Sequence, residues 1–178
     1  MKFIGFYSYT VILTYLSLVS GILGMRYASI GKFDIAIICL AISGFCDMFD
    51  GLVARTKKNR TTDEKNFGIQ IDSLCDLICF GVFPAVFLYY LGINTTLGII
   101  ILIFYILCAL IRLAFFNVLE TKRQTKEGGC TKGYRGLPVT SSATIFPIFY
   151  IIGLFLSKSM MTYIYYALPI LVGFLFIL

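Results

Sequence analysis

The chain contains no histidine and no tryptophan, and only nine of its 178 residues are acidic. Without imidazole there is no histidine nucleophile, no histidine general base and no histidine-ligated zinc. Charged residues make up 13% of the chain and hydrophobic ones 59%, above the roughly 45–50% apolar content of a soluble domain. Too little polar sequence remains for a separate water-soluble unit, so residues 1–178 read as a single all-α domain in a lipid bilayer. The six cysteines (Cys39, Cys46, Cys75, Cys79, Cys108, Cys130) lack the paired spacing of a disulfide or zinc framework. Cys75 and Cys79, one helical turn apart, read as small buried apolar residues with reduced thiols.

What is present is apolar sequence in long runs. Segments of the roughly 20 residues needed to cross a bilayer run from Phe3 to Gly24, Ile35 to Val53, Phe67 to Tyr90, Leu97 to Leu119, Pro138 to Leu156 and Tyr163 to Leu178. They predict six transmembrane helices, the first a retained span rather than a signal peptide. Basic residues concentrate in the connectors: Lys2, five between Arg55 and Lys65, and five between Lys122 and Arg135, against Arg26, Lys32 and Lys158 on the other side. Cytoplasmic loops carry such an excess, which places both termini and both long connectors in the cytoplasm of a cell (cytoplasmic) membrane. Topology and anionic head groups account for the formal charge of +6, so no nucleic acid partner is expected. The tyrosines Tyr7, Tyr9, Tyr15, Tyr89, Tyr90, Tyr163, Tyr165 and Tyr166 fall near span ends as interfacial anchors.

Six of the nine acids lie between Asp47 and Asp76, and four of them, Asp47, Asp50, Asp72 and Asp76, sit at the cytoplasmic edges of the second and third spans. An ionised carboxylate is costly there, and such residues are functional candidates. Asp47 and Asp50 are three apart and Asp72 and Asp76 four apart, so each pair shares one helical face. Gly51, Ala54 and Gly68 each lie four residues from one of these acids on the same face. Small side chains at those positions suit close helix packing or a hollow for a ligand whose phosphates approach the backbone. Oxygen ligands without imidazole favour a hard cation, Mg²⁺ or Mn²⁺, and four carboxylates carry enough charge for two divalent cations. Such a pair stabilises attacking and leaving oxygens in phosphoryl-group displacement. Neutralisation of the acids by Arg55, Arg112 or nearby lysines is the purely structural alternative.

The pattern Asp47-x-x-Asp50-Gly51-x-x-Ala54-Arg55, followed by Gly68-x-x-x-Asp72-x-x-x-Asp76, resembles the signature of the CDP-alcohol phosphatidyltransferases, with all eight positions present. The gap between Arg55 and Gly68 is longer than is usual in that family, and its extra residues are polar. The segments Arg112-Leu113-Ala114-Phe115-Phe116-Asn117-Val118, Tyr134-Arg135-Gly136-Leu137-Pro138-Val139-Thr140 and Phe80-Gly81-Val82-Phe83-Pro84-Ala85 are similar to stretches of the phosphatidylserine synthase branch.

The resemblance implies a six-helix membrane enzyme that transfers the phosphatidyl group of CDP-diacylglycerol to the hydroxyl of L-serine, releasing CMP, and that works as a homodimer. It implies that Asp47, Asp50, Asp72 and Asp76 form the metal site, that Asp47, Asp50 and Asp72 also hold the cytidine diphosphate, and that Asp76 is in addition the general base. Gly51, Ala54 and Gly68 would make room for the cytidine diphosphate, with Arg55 as a phosphate or structural partner. Arg112, inside the fourth span, is expected to face the polar interior and meet a phosphate or the serine carboxylate; Asn117 and Arg135 are further candidate contacts. The same chemistry on glycerol 3-phosphate or an inositol phosphate is the nearest alternative. A divalent-cation transporter is a more distant one, since it too would use intramembrane acids.

Overall fold

On the first long helix, small and hydroxylic residues turn inward and large apolar ones turn outward. The first long helix, α1 (Ile12–Ser29), follows a single 3₁₀ turn (Tyr9–Val11) and buries Thr14, Ser17, Ser20, Gly21, Gly24 and Ala28. Its opposite side exposes Ile12, Leu16, Val19, Ile22 and Leu23. Water would penalise that distribution, whereas lipid tails accept it, because in a bilayer helices associate through small residues and interhelical hydrogen bonds. The computed structural model describes residues 5, 9–56, 61–125 and 136–178, and they are helical nearly throughout.

Gly31, with φ of +76°, closes α1, and the N–H groups of Gly31 and Lys32 bond back to the carbonyls of Ala28 and Tyr27 at 3.0 Å each. The chain reverses into α2 (Phe33–Thr56), which packs along α1 more extensively than any other pair of helices. The contact is tied by Ser17 and Ser43, whose hydroxyls lie 2.7 Å apart, and by Ser20 donating to the Cys39 carbonyl at 2.8 Å. On α2, a Cβ at Gly44 would collide with Ala143 of α6 (Ser142–Gly153), so the absence of a side chain there sets how closely these two helices approach.

Helix α3 (Thr62–Asp76) begins on a capping box. Thir reciprocal bonds are made by the Thr61 hydroxyl, which accepts from the Glu64 N–H, and by the Glu64 carboxylate, which accepts from the Thr61 N–H, both at 3.2 Å. After Asp76 the helix widens into a π segment (Leu77–Val82) and resumes as α4 (Phe83–Leu91), so helical structure runs unbroken from Thr62 to Leu91. Pro84 explains part of the widening. It has no N–H to give the Phe80 carbonyl one turn earlier, and the Tyr105 hydroxyl donates to that carbonyl instead, at 2.6 Å. Tyr105, fully buried on α5 (Thr96–Thr125), is itself within 2.8 Å of the Ser142 hydroxyl at the start of α6.

Four of these helical stretches are long and apolar enough to cross a membrane: Phe33–Val53, Thr62–Leu91, Thr96–Thr121 and Ser159–Ile177. The six segments expected from hydropathy thus give four such helices among the described residues. Within the first expected segment (Phe3–Gly24), the described helix starts at Ile12 and runs on to Ser29, with its apolar character diluted by the buried hydroxyls and Arg26. The fifth (Pro138–Leu156) contains α6, whose 12 residues reach only about 18 Å at 1.5 Å per residue. A 3₁₀ turn at Val139–Ser141 precedes it, and α7 (Lys158–Ile177) follows.

Candidate active site

Two helices carry the acids. Asp47 and Asp50 project from the last turns of α2, and Asp72 and Asp76 from the latter part of α3. All four line one cavity of about 250 Å³, together with Arg112, Leu113 and Phe116 of α5 and Pro138, Val139 and Thr140 ahead of α6. The structure therefore brings the four aspartates and Arg112 together, as their spacing anticipates.

Within the cavity the acids are not equivalent. One oxygen each from Asp47, Asp50 and Asp72 lies within 4.8 Å of the others. Asp76, counted among the metal ligands in the sequence reading, stands outside that three-way convergence and beside Asp47. Asp50 and Asp72 likewise face each other within hydrogen-bonding reach. Carboxylates held this close repel unless a cation or a shared proton lies between them. One further observation supports that fit: Asp72 Oδ1 is buried and, among the described residues, has no hydrogen-bond partner. A buried carboxylate oxygen without a donor is rare, and a hard divalent cation would complete it. The all-oxygen donor set suits Mg²⁺ or Mn²⁺.

Arg112 is 8% exposed, and its Nε donates to the Leu137 carbonyl at 3.4 Å. That carbonyl is held in place from the other side. The Leu137 N–H donates to the Leu175 carbonyl of α7 at 2.8 Å, and Gly136, at φ +81°, passes so close to α7 that a Cβ would lie 2.9 Å from the Phe176 oxygen. The Gly136-Leu137-Pro138 stretch is thus a strap from the end of α7 to the cavity wall, and glycine is required at its start.

The remaining sequence-predicted positions fall differently. Gly51 faces open space, where an added Cβ would meet nothing within 4 Å. Neither Gly51, Gly68 nor Asn117 contributes to the cavity wall. Asn117 instead joins α5 to α3: its Oδ1 accepts from the Ser73 hydroxyl at 2.6 Å and its Nδ2 donates to Gln70 at 3.4 Å. Ala54 and Arg55 belong to the backbone of α2, but their side chains, like all of Arg135, lie outside the described residues. Sequence reasoning missed Thr14, whose hydroxyl donates to Asp50 Oδ2 at 3.0 Å. The spacing of Thr14, Ser17, Gly21, Gly24 and Ala28 marks a packed face of small and hydroxylic residues, but nothing local to Thr14 names Asp50 as its partner.

Comparison with known proteins agrees with this geometry. The CDP-diacylglycerol–serine O-phosphatidyltransferase of Saccharomyces cerevisiae is 38% identical over 104 residues, which are 57% of this chain and 36% of that protein. The archaetidylserine synthase of Methanothermobacter thermautotrophicus is 33% identical over 159 residues, 86% of this chain and 62% of that protein. The CDP-diacylglycerol–serine O-phosphatidyltransferase of Bacillus subtilis is 31% identical over 109 residues, 60% of this chain and 59% of that protein. The chain thus spans between about a third and three fifths of the length of these relatives. No solved structure matches significantly. Residues 9–175, which carry the aspartates, Arg112 and the strap alike, match the CDP-alcohol phosphatidyltransferase family, and the chain belongs to it.

Proposed function

We propose that this protein transfers the phosphatidyl group of CDP-diacylglycerol to the hydroxyl of L-serine, yielding phosphatidylserine and CMP. The observation that carries the reading is the convergence of Asp47, Asp50 and Asp72 to within 4.8 Å beside Asp76, around a buried carboxylate oxygen that lacks a donor among the described residues. The serine acceptor is carried over from the names of the relatives. It also suits the cavity wall, where Arg112 is the one basic residue among the described lining side chains. An acceptor with a second phosphate would call for several.

In this reading Asp47, Asp50 and Asp72 hold divalent cations, two in number and Mg²⁺ or Mn²⁺ in kind. When bound, these ions neutralise the diphosphate and the departing CMP. Asp76 accepts the proton of the serine hydroxyl as the serine oxygen bonds to the diacylglycerol-bearing β-phosphorus. The bond from that phosphorus to the bridging oxygen breaks, and its electron pair leaves with CMP. An aspartate is a weak base in water, so its effect comes from position and from proton transfer concerted with attack. Arg112, held by the Leu137 carbonyl, orients the serine carboxylate or a phosphate. Ala54 and Arg55 near the end of α2, with Gly51 and Gly68, border the approach of the cytidine diphosphate.

The lipid tails have a route of their own. An apolar groove of about 560 Å³ between α2 and α6 shares Asp47, Pro138 and Thr140 with the cavity and continues along Ala41, Phe45, Met48 and Ile148. CDP-diacylglycerol would enter sideways from the bilayer along it, while serine arrives from the cytosol. The reading includes six membrane crossings, with α1 and the Val139–Gly153 stretch as the two shorter ones, both termini in the cytoplasm, and assembly as a homodimer.

The test is CMP release by the purified protein with CDP-diacylglycerol, Mn²⁺ or Mg²⁺, and a panel of acceptors. Serine-dependent release is expected. Release with only glycerol 3-phosphate or an inositol phosphate would move the chain to another branch, and no release with any acceptor would overturn the enzymatic reading.

A further inference from the structure

Helix α1 carries no acid, yet one of its residues touches both helices that do. Its buried hydroxyls are used in two ways. Ser17 and Ser20 bond to Ser43 and to the Cys39 carbonyl on α2, which is ordinary helix-to-helix packing. Thr14 instead gives its hydroxyl to a carboxylate of the site, Asp50 Oδ2, at 3.0 Å, with Thr14 4% and Asp50 8% exposed. A helical threonine hydroxyl commonly turns back to its own helix's carbonyls; here it reaches across. The carbonyl of the same residue accepts from the Cys75 thiol at 3.2 Å, one position before Asp76.

A carboxylate on a short side chain turns freely about its last torsion. A donor fixed on Oδ2 sets the plane of the group and leaves Oδ1 for a cation shared with Asp47 and Asp72. Partners of this kind, one bond removed from a metal, orient the ligand and tune its affinity. The bond from the Thr14 carbonyl to Cys75 meanwhile fixes α3 against the same turn of α1, so one residue sets the spacing of the two acid pairs.

We infer that Thr14 is a positioning residue for the metal site, holding Asp50 in its ligating orientation. This rests on reading Asp47, Asp50 and Asp72 as cation ligands. The test is titration of the purified protein with Mn²⁺ alone, without substrate, following the free ion by its paramagnetic resonance signal. Thr14→Val, which keeps the shape and removes the hydroxyl, should weaken Mn²⁺ binding by about 10- to 100-fold, the range seen when such outer partners are removed. Thr14→Ala should do the same, and Thr14→Ser should restore wild-type affinity. Ser17→Ala, which removes the bonds of that hydroxyl to Ser43 and to Cys79 Sγ but no bond to an aspartate, should lower thermal stability and leave Mn²⁺ affinity unchanged.

The outcomes separate. If the wild type fails to bind Mn²⁺, the cation reading and this inference both fall. If the wild type binds and Thr14→Val binds equally well, only the inference falls. It falls too if neither Thr14→Val nor Thr14→Ala folds while Ser17→Ala does, since the hydroxyl would then be a requirement of folding rather than of the site.

Discussion

At the scale of single residues, the four aspartates divide by position, and the division can be measured. Asp72 has a buried oxygen without a donor among the described residues and belongs to the converging trio, whereas Asp76 lines the cavity outside it. Asp72→Asn should therefore abolish Mn²⁺ binding and CMP release together. Asp76→Asn should leave Mn²⁺ binding within a few-fold of wild type while CMP release falls by about 10²- to 10⁴-fold, the usual contribution of a general base. An Asp76→Asn protein with full turnover would remove the base assignment, and one that lost its metal would return Asp76 to the ligands. Arg112 supplies a third substitution. Its Nε is already engaged by Leu137, and lysine would keep the charge but lose the planar, forked donor geometry. Arg112→Lys should lower kcat/KM for serine by about 10- to 100-fold, matching the roughly 1.5–3 kcal/mol of a hydrogen bond to a charged group. Unchanged kinetics would place Arg112 among structural residues only.

At the scale of elements, the π segment ties the catalytic end of α3 to the rest of the bundle. Its Phe80 carbonyl takes the Tyr105 hydroxyl at 2.6 Å, and that hydroxyl also meets Ser142, so the π segment, α5 and α6 share one buried polar knot four residues beyond Asp76. Tyr105→Phe would remove the donor and leave buried oxygens unsatisfied, at a cost of about 1–3 kcal/mol. A lowered melting temperature with reduced CMP release is the expected result; a melt identical to wild type would show that the carbonyl is satisfied within the helix. This element also marks where sequence reading stops. The acid pairs were legible because their spacing of three and four matches a helical turn whatever surrounds them. Thr61 and Glu64 carry the capping-box pattern in polar sequence ahead of the apolar run, so hydropathy starts the span at Phe67 whereas the helix starts at Thr62. The π turn and the knot depend on Tyr105 and Ser142, 25 and 62 positions from Phe80, a pairing that no local periodicity encodes. Asn117 misled for a related reason. Its neighbours in sequence line the cavity, but its own amide is turned toward Ser73 and Gln70.

At the scale of the whole molecule, the site's chemistry depends on which side of the membrane it opens to. The aspartates, Arg112 and the Gly136-Leu137-Pro138 strap all gather at one end of the bundle, where α2 gives way to α3 and where α5 leads toward the strap. The sequence stretches leading out of α2 and α5, from Arg55 to Lys65 and from Lys122 to Arg135, hold ten of the fifteen basic residues. The opposite end, with Gly31, Lys32, Gly92 and Ser157, has few. Cytoplasmic loops retain positive charge during insertion, and the serine and CMP of the proposed reaction are soluble and charged, so the charge bias and that proposal favour the same orientation. Single cysteines placed in an otherwise cysteine-free chain would test it with a membrane-impermeant thiol reagent on intact cells. Lys32→Cys should be labelled from outside, and Lys58→Cys only after the membrane is opened. Because the two positions flank α2, a helix long enough to span once, labelling of both from the same side would mean that α2 does not cross. The reversed pattern would mean that the charge bias was misread and that the cavity faces away from the cytosol.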